Sequence, residues 1–519
     1  MRQSFRYNGR VMELNPRSCW ATLLKQSALL AVGFLLLYLP FLSINYDPNG
    51  IAEAGYLEGG VLVSPNHIIY RPVGAAVYWA AEALGYHGRP LYVLQVLNAF
   101  CGAAGVGLAF AAFRKLGARP WAALAASVLW GTSFIYWFFS TDVSYVTMAG
   151  VFMAAAILCR GVLIESRSHR AAAGLGISCA LAALSWQAAI FAFPLAVWSL
   201  RRRARELGLA VAAWIVLLGG SYAALGFLHG YKSPAALMRW SLNYGGDRLP
   251  EWGHFEPERL ALAGEAAVRS FQFDAFERGR EFIERPRPHR VRQSAGAICL
   301  AALALFTAAI SLRSIIGRDP RLIWALAAYL VWWPFLVWWS PGESKWFLVP
   351  NLFLCAAAAI VWSSSIVRMP AKILIGAAIA VMAQKTFASW VLTHHRDAGA
   401  IMGKADCIAR NVSPADVVIA PDWTWAYQVS YFHHIEPVNI IAGDRDDLLR
   451  SRIAAEVTRG RERGGRIFIV DPSSYPAAHL EWLAAQTGFS LLDFDRFAGH
   501  VAFQCEDAKF REVSRLVDR

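Results

Sequence analysis

The chain has 519 residues, of which 56% are hydrophobic and 21 are tryptophan, and its mean hydropathy is +0.37. Only 17% are charged, against roughly a quarter in soluble domains, which excludes an ordinary soluble protein and makes the bilayer the main solvent. The formal net charge of +13 invites a nucleic-acid reading, but the cations collect at the ends of apolar stretches, so no nucleic-acid partner is expected.

A spanning helix needs about 20 mostly apolar residues. The basic N-terminus, "RQSFRYNGRVMELNPR", leads into a first span near 27–44. No small-residue cleavage site follows, so this span reads as an anchor. A charged loop, 45–90, comes next, then spans near 91–113, 120–138 and 144–164. The stretches 171–184 and 188–200 are short. Basic flanks on both sides ("RSHR" and "RRRAR") require the chain to turn back, at Ser185–Gln187. Further spans fall near 207–227, 294–312, 322–339, 347–364 and 373–391, about eleven in all.

The distribution of Lys and Arg orients this map. On one side lie five in 1–26, three in 114–119, two in 165–170, four in 201–206, three in 313–321 and two in 365–372, nineteen together. The short loops on the other side, 45–72, 139–143, 185–187 and 340–346, hold only Arg71 and Lys345. The first set is expected in the cytoplasm and the second outside, in a multi-pass protein of the cell's inner (plasma) membrane.

Two larger outer pieces remain. Residues 229–293 interleave charged and apolar residues as an amphipathic helix does, lying at the interface or solvated. The tail, 392–519, alternates short apolar runs ("DVVIAPD", "PVNIIAG", "RIFIVDP", "LLDFD", "VAFQCE") with helical polar stretches. That is the pattern of a small α/β domain, here extra-cytoplasmic, following a membrane domain over 1–391. "RERGGRIF" lacks the strand–loop–helix order of a phosphate loop. The eight cysteines show no metal-binding spacing. Cys407 and Cys505 fall in the tail, where an oxidising compartment permits a disulfide; free thiols are expected. The histidine pairs in "THHRD" and "FHHIE" are expected at a surface or interface.

Groups able to do chemistry cluster in the short outer loops. The first loop offers Asp47, Glu53, Glu58, Asn66, His67 and Arg71; the next offers Asp142; the loop "SPGESKWF" offers Glu343 and Lys345. Charges at a membrane rim are costly unless paired or working. A lone Glu58 or His67 reads as an interfacial polar group. Asp47, Asp142, Arg71 and Lys345 read jointly as a site. Carboxylates can take a proton from a hydroxyl or hold a divalent metal through oxygen, and Asp47 with Asp142 is the candidate pair for a metal. Arg and Lys can hold a phosphate and stabilise its departure. A base beside a phosphate clamp suits attack on a phosphate-activated, lipid-borne group.

These residues resemble the motifs of the GT-C glycosyltransferases, multispanning enzymes that use polyprenyl-phosphate sugars. The likeness is nearest to the branch of protein O-mannosyltransferases and lipid A aminoarabinose transferases. In "DPNGIAEA" the chain keeps Asp47, Ala52 and Glu53, with Pro48 where a second acid is usual and Ile51 where Tyr is usual. In "IYRPVGAAVYW" Arg71 stands in the place of a lysine. "ESKWFLVP" resembles the late motif E-x-R-Y-L-L-P through Glu343, Lys345, Trp346 and Pro350. The resemblance covers 1–391. It implies a GT-C-like, mainly α-helical fold and transfer of a sugar, with inversion, from a polyprenyl-phosphate donor to an extra-cytoplasmic acceptor hydroxyl. Asp47 would be the base, Glu53 and Asp142 its catalytic partners, and Arg71 and Lys345 the phosphate ligands. His67 and Glu343 would help to bind substrate. Two other readings use the same charges: a transporter or flippase for a lipid-linked substrate, and a non-catalytic subunit that kept the fold.

Overall fold

The computed structural model describes residues 4–7, 10–13, 16–231, 233–242, 256–275, 294–316, 318–420, 424–439, 455–456, 458–470, 501–506 and 508–512. The chain is a multi-pass, mainly helical membrane protein with a small C-terminal sheet. Among the described residues eight helices are long and apolar enough to cross a bilayer, or nine if one bent pair is a single span.

Proline after a charged residue opens many of the helices. Its fixed φ suits the first helical turn, where its missing N–H is not needed. Helix α1 is Pro16–Tyr38, α2 Pro48–Glu58, α3 Tyr70–Ala83, α4 Pro90–Lys115 and α5 Pro120–Gly131. Helix α6, Phe134–Thr141, meets α5 at a 62° bend over Thr132 and Ser133. Helix α7 is Tyr145–Glu165 and α8 is His169–Ser185. Trp186 is extended, and the short apolar helix α9, Gln187–Trp198, follows. The expected reversal at Ser185–Gln187 thus coincides with a helix break. Both α8, of 17 residues, and α9 fall below the length of a regular span.

Helix α10 is Ala204–Leu228, α11 Pro234–Leu242, α12 Pro257–Phe271, α13 Ala295–Ile316, α14 Pro320–Trp339 and α15 Ser344–Trp362. Helix α16, Met369–Thr386, continues through a π turn to Arg396. Of the loop 229–293, residues 243–255 and 276–293 lie outside the described residues. Its helix α12 is amphipathic and docked: Ala263, Ala266 and Phe271 are buried, and Arg259 donates to the carbonyls of Val337 and Trp338 at 3.1 and 2.7 Å.

Helix α4 packs against α1, α5, α6 and α7, and α15 packs against α5, α7 and α14. Helices α4 and α15 are therefore the buried centre. Helices α1, α10, α13 and α16 instead expose rows of apolar side chains, such as Leu29 and Leu36, Val216 and Leu228, Leu305 and Leu312, and Ile373 and Leu374. Faces of this size are a liability in water and suit contact with lipid.

The tail supplies α17, Gly399–Asn411, and α18, Thr424–His433, and a five-stranded sheet. Its strands are β1 Val417–Ala420, β2 Val438–Asn439, β3 Ile467–Val470, β4 Val501–Cys505 and β5 Ala508–Glu512, in the order β2-β1-β3-β5-β4. Strand β1 pairs parallel to β2 and β3, and β5 pairs antiparallel to β3 and β4. Strands β1 and β3 are buried at every position, the continuous apolar pattern of a covered parallel core. Most of "PVNIIAG" beyond Asn439, and "LLDFD", lie outside the described residues.

One expectation is corrected here. Cys407 and Cys505 are a disulfide, with Cα atoms 5.8 Å apart and a sequence separation of 98. It ties α17 to the end of β4. No local spacing signals a bridge that only the closed sheet creates.

Candidate functional site

The loop after α1 starts the site. Asp47 is extended and caps α2: its Oδ1 accepts the backbone N–H and the side-chain amide of Asn49, at 2.9 and 3.0 Å. Pro48, at the place of the second acid in the related motif, is the first residue of that helix. Asp47 thus gains its fixed position from the N-cap role. Among the described residues its Oδ2 accepts no hydrogen bond.

The main-chain N–H of Asp47 donates to Asp142 Oδ2 at 2.7 Å, and that of Val143 donates to Asp142 Oδ1 at 2.7 Å. Asp142 lies between α6 and α7 and is wholly buried. Burial pushes its carboxyl well above the usual carboxylate range, and the charge of Asp47 adds to the rise; the two N–H donors oppose it. Both oxygens of Asp142 thus hold the loop through the main chain.

Two neighbours in α4 complete this latch. Asn98, fully buried, donates to the carbonyls of Asp142 and Ser144 at 2.9 and 3.0 Å and accepts from the Tyr70 hydroxyl at 3.2 Å. Gln95 donates to the carbonyl of Ser43 at 2.7 Å. The sequence reading passed over both. The available signal was two amides three residues apart in an apolar span, one face of one helix.

Glu53 and Arg71 form a buried bidentate pair, 2.7 Å at Nε and 3.0 Å at Nη2. The face of Tyr56 covers the guanidinium at 4.1 Å. Arg71, expected as a phosphate ligand, is thus engaged with Glu53. His67 is buried and stacks on Tyr145 with centroids 3.4 Å apart. Burial is the main reason its pKa falls to about 4, so the ring is neutral near pH 7. Glu58 lies apart, pairing with Arg89 Nε at 2.7 Å; Arg89 also covers the ring of Tyr431 and donates to its carbonyl. That contact seats α18 on α2.

Lys345 arrives from the far end of the sequence, in the 3₁₀ turn that opens α15. Its Nζ lies 3.6 Å from Glu343, which is half exposed, and 4.6 Å from the ring centroid of Trp346. Behind it the ring of Trp186 lies between those of Trp346 and Trp332, at 5.5 and 5.2 Å, nearly parallel to both. Such stacking contributes about 0.5–1.5 kcal/mol per pair and fixes the turn.

Two cavities result. A narrow one is lined by Asp47, Asn49, Glu53, Ser144, Tyr145 and Lys345. A wider cleft of about 410 Å³ is lined among others by Asn49, Glu53, Asn66, His67, Arg71 and Tyr145. They share Asn49, Glu53 and Tyr145. Asp47 and Lys345 therefore meet in one space, Arg71 and His67 stand in the adjoining one, and Asp142 lies beneath as support. Glu343 lines neither.

Among the described residues no three His, Cys, Asp or Glu side chains converge, and three of the four oxygens of Asp47 and Asp142 already accept N–H donors from the chain. The histidine pairs serve as joints. The carbonyl of His394 accepts the N–H of Ile44, His395 Nδ1 lies 2.9 Å from the carbonyl of Leu42, and His433 pairs with Asp406 at 3.0 Å.

No family model and no curated protein matches the sequence. Several solved structures do. ArnT from Cupriavidus metallidurans bound to undecaprenyl phosphate is 13% identical, with 96% of this chain and 99% of that one covered and a TM-score of 0.42. The Archaeoglobus fulgidus oligosaccharyltransferase in complex with Zn and sulfate is 12% identical, with 92% and 71% covered and a TM-score of 0.46. The S. cerevisiae protein O-mannosyltransferase Pmt1–Pmt2 complex bound to the sugar donor is 17% identical, with a TM-score of 0.34. There the match covers 46% of this chain and only 38% of the other.

Proposed function

We propose that the chain is a membrane glycosyltransferase that moves a sugar from a polyprenyl-phosphate donor to an acceptor hydroxyl on the outer side of the membrane. The observation that carries the reading is the shared cavity of Asp47 and Lys345, a carboxylate with an open oxygen and a cation, 298 positions apart in sequence.

Asp47 Oδ2 takes the acceptor's hydroxyl proton as the oxygen bonds to the anomeric carbon. The bond from that carbon to the phosphate oxygen breaks, its electron pair leaves on the polyprenyl phosphate, and Lys345 stabilises the charge there. Attack opposite the phosphate inverts the anomeric centre. The proton then passes from Asp47 to water. Glu53, pinned by Arg71, orients the acceptor where the two cavities join. His67, neutral and stacked, walls the acceptor side. Asp142 positions Asp47, and Glu343 tempers the charge of Lys345. No step needs a metal.

The reading is tested with the purified protein in nanodiscs. Lys345→Ala weakens binding of undecaprenyl phosphate at least about tenfold, the effect of losing one charge-assisted contact of about 1.5–3 kcal/mol. Asp47→Asn abolishes transfer of the donor sugar while unfolding at the temperature of the wild type. Wild-type transfer in Asp47→Asn defeats the assignment. Accumulation of a lipid-linked substrate across the membrane, with no new glycosidic bond, favours the transporter instead.

A further inference from the structure

The wider cleft holds features that donor binding and proton transfer leave unused. Aromatic side chains reach it from four distant segments: Tyr56 from α2, Tyr145 from α7, Tyr231 and Trp240 from the stretch around α11, and Tyr427 from α18 of the tail. The stretch around α11 is tied down. Tyr231 stacks on Trp240 at 5.6 Å, the hydroxyl of Tyr222 donates to the carbonyl of Pro65 at 2.7 Å, and Gln187 donates to the carbonyl of Ser241 at 2.6 Å. The tail is held by Arg89, through Glu58 and Tyr431.

A second observation points to a ligand. Asn66 lines the cleft and is only 7% exposed, yet its side-chain carbonyl oxygen has no hydrogen-bond partner. A buried acceptor without a donor is costly and calls for one to arrive.

The chemistry of the lining selects the class of ligand. Among the described residues the charged side chains in it, Glu53 and Arg71, neutralise each other, so an anionic or cationic ligand finds no spare countercharge among them. Ser64, Asn49 and Asn66 interrupt the apolar surface, which disfavours a lipid tail. Aromatic faces carry negative electrostatic potential and attract polarised C–H groups; the flat C–H face of a pyranose is such a surface, and its rim of hydroxyls supplies donors. The cavity of about 410 Å³ falls within the usual range for ligand sites, about 300–1,000 Å³. We propose that this cleft binds a neutral carbohydrate of at least two sugar units, stacked on Trp240 and Tyr427 and donating a hydroxyl to Asn66, and that this saccharide is the acceptor. The last clause rests on the transferase reading; the binding of the saccharide does not.

The test is saturation-transfer difference NMR on the full chain in deuterated micelles. Maltose, lactose, cellobiose and mannobiose serve as probes, an uncharged Ser/Thr peptide as the rival acceptor, and undecaprenyl phosphate is assayed in parallel. At least one disaccharide gains signal on irradiation of the aromatic protons. Trp240→Ala and Tyr427→Ala each weaken it about fivefold to tenfold, as expected for one stacked ring, while Tyr427→Phe retains it. If undecaprenyl phosphate binds and no disaccharide does, or if only the peptide binds, the inference is overturned and the transferase reading stands. Disaccharide binding that survives both alanine substitutions also overturns it. Disaccharide binding without undecaprenyl phosphate binding leaves the saccharide cleft standing and removes the transferase.

Discussion

The backbone N–H of Asp47 donates to the carboxylate of Asp142, 2.7 Å away across 95 residues of sequence. This one bond joins the cap of α2 to the turn between α6 and α7. It depends on a close approach beside it. A Cβ at Gly50 would lie 2.9 Å from both the Cβ and the carbonyl oxygen of Val143. Gly50→Ala must therefore push α2 away from the turn. Overpacking of this kind costs about 1–3 kcal/mol, and a displaced base loses on the order of a hundredfold in rate. Transfer assays and thermal unfolding of the same preparation should show the rate falling much further than the stability.

Asn98 serves four partners from one buried amide, the carbonyls of Phe139, Asp142 and Ser144 and the hydroxyl of Tyr70. Asn98→Leu keeps the volume and leaves the carbonyls of Asp142 and Ser144 and the Tyr70 hydroxyl without it. Each buried group left unsatisfied costs about 1–3 kcal/mol. The expected loss is at least about 2 kcal/mol in denaturant unfolding, on the same scale. Leu at Gln95 should cost less, because its main tie is the carbonyl of Ser43.

The Glu53–Arg71 pair is nearly sealed from solvent. Removing one partner strands a buried charge, at about 3–5 kcal/mol, whereas replacing both with apolar side chains is often close to neutral. Arg71→Met should thus be less stable than the double variant Arg71→Met/Glu53→Leu. The order of their midpoints in a thermal melt checks this, and a double variant less stable than Arg71→Met would contradict it.

His67 gives a pH signature. Its pKa falls from 6.5 to about 4 on folding, because burial disfavours the charged ring. Above pH 6.5 both states are neutral there and the contribution is fully present. As pH falls from 6.5 toward 4 the unfolded chain takes up a proton that the native chain refuses, so stability is lost across that window, by up to about 3 kcal/mol. His67→Gln should flatten the unfolding midpoint between pH 7 and pH 4; an unchanged slope would count against the buried neutral ring.

The Cys407–Cys505 bridge closes a long loop. In the chain-entropy model a loop of about 100 residues contributes about 4–5 kcal/mol. Cys407→Ser with Cys505→Ser, or dithiothreitol on the wild type, should lower the melting temperature of the tail while the membrane helices keep theirs. Alkylation of both sulfurs in unreduced, native membranes would show that the bridge does not form.

The apolar stretches and the segregation of Lys and Arg were legible because the bilayer imposes them locally. A span must be apolar over its own length, and a cation must avoid crossing. The same logic singled out Asp47, Asp142, Arg71 and Lys345, since charge stands out in loops otherwise stripped of it. The pairing among them was not legible. Nothing near Arg71 in sequence says that Glu53 takes its guanidinium, or that Asp142 receives the N–H of Asp47. The amides of Gln95 and Asn98 looked like minor polar interruptions until α4 was set against the turn they hold.

What the sequence alone determined is a multi-pass helical membrane protein with a β-containing tail. What only the tertiary structure decided is who meets whom: a cation in the same cavity as a carboxylate, a tail tyrosine in the wall of a cleft, a sulfur bridge between positions 98 apart. The physical reason is range. Hydropathy and helix starts act over one turn or one span, while partners are chosen by the packing of segments hundreds of residues apart.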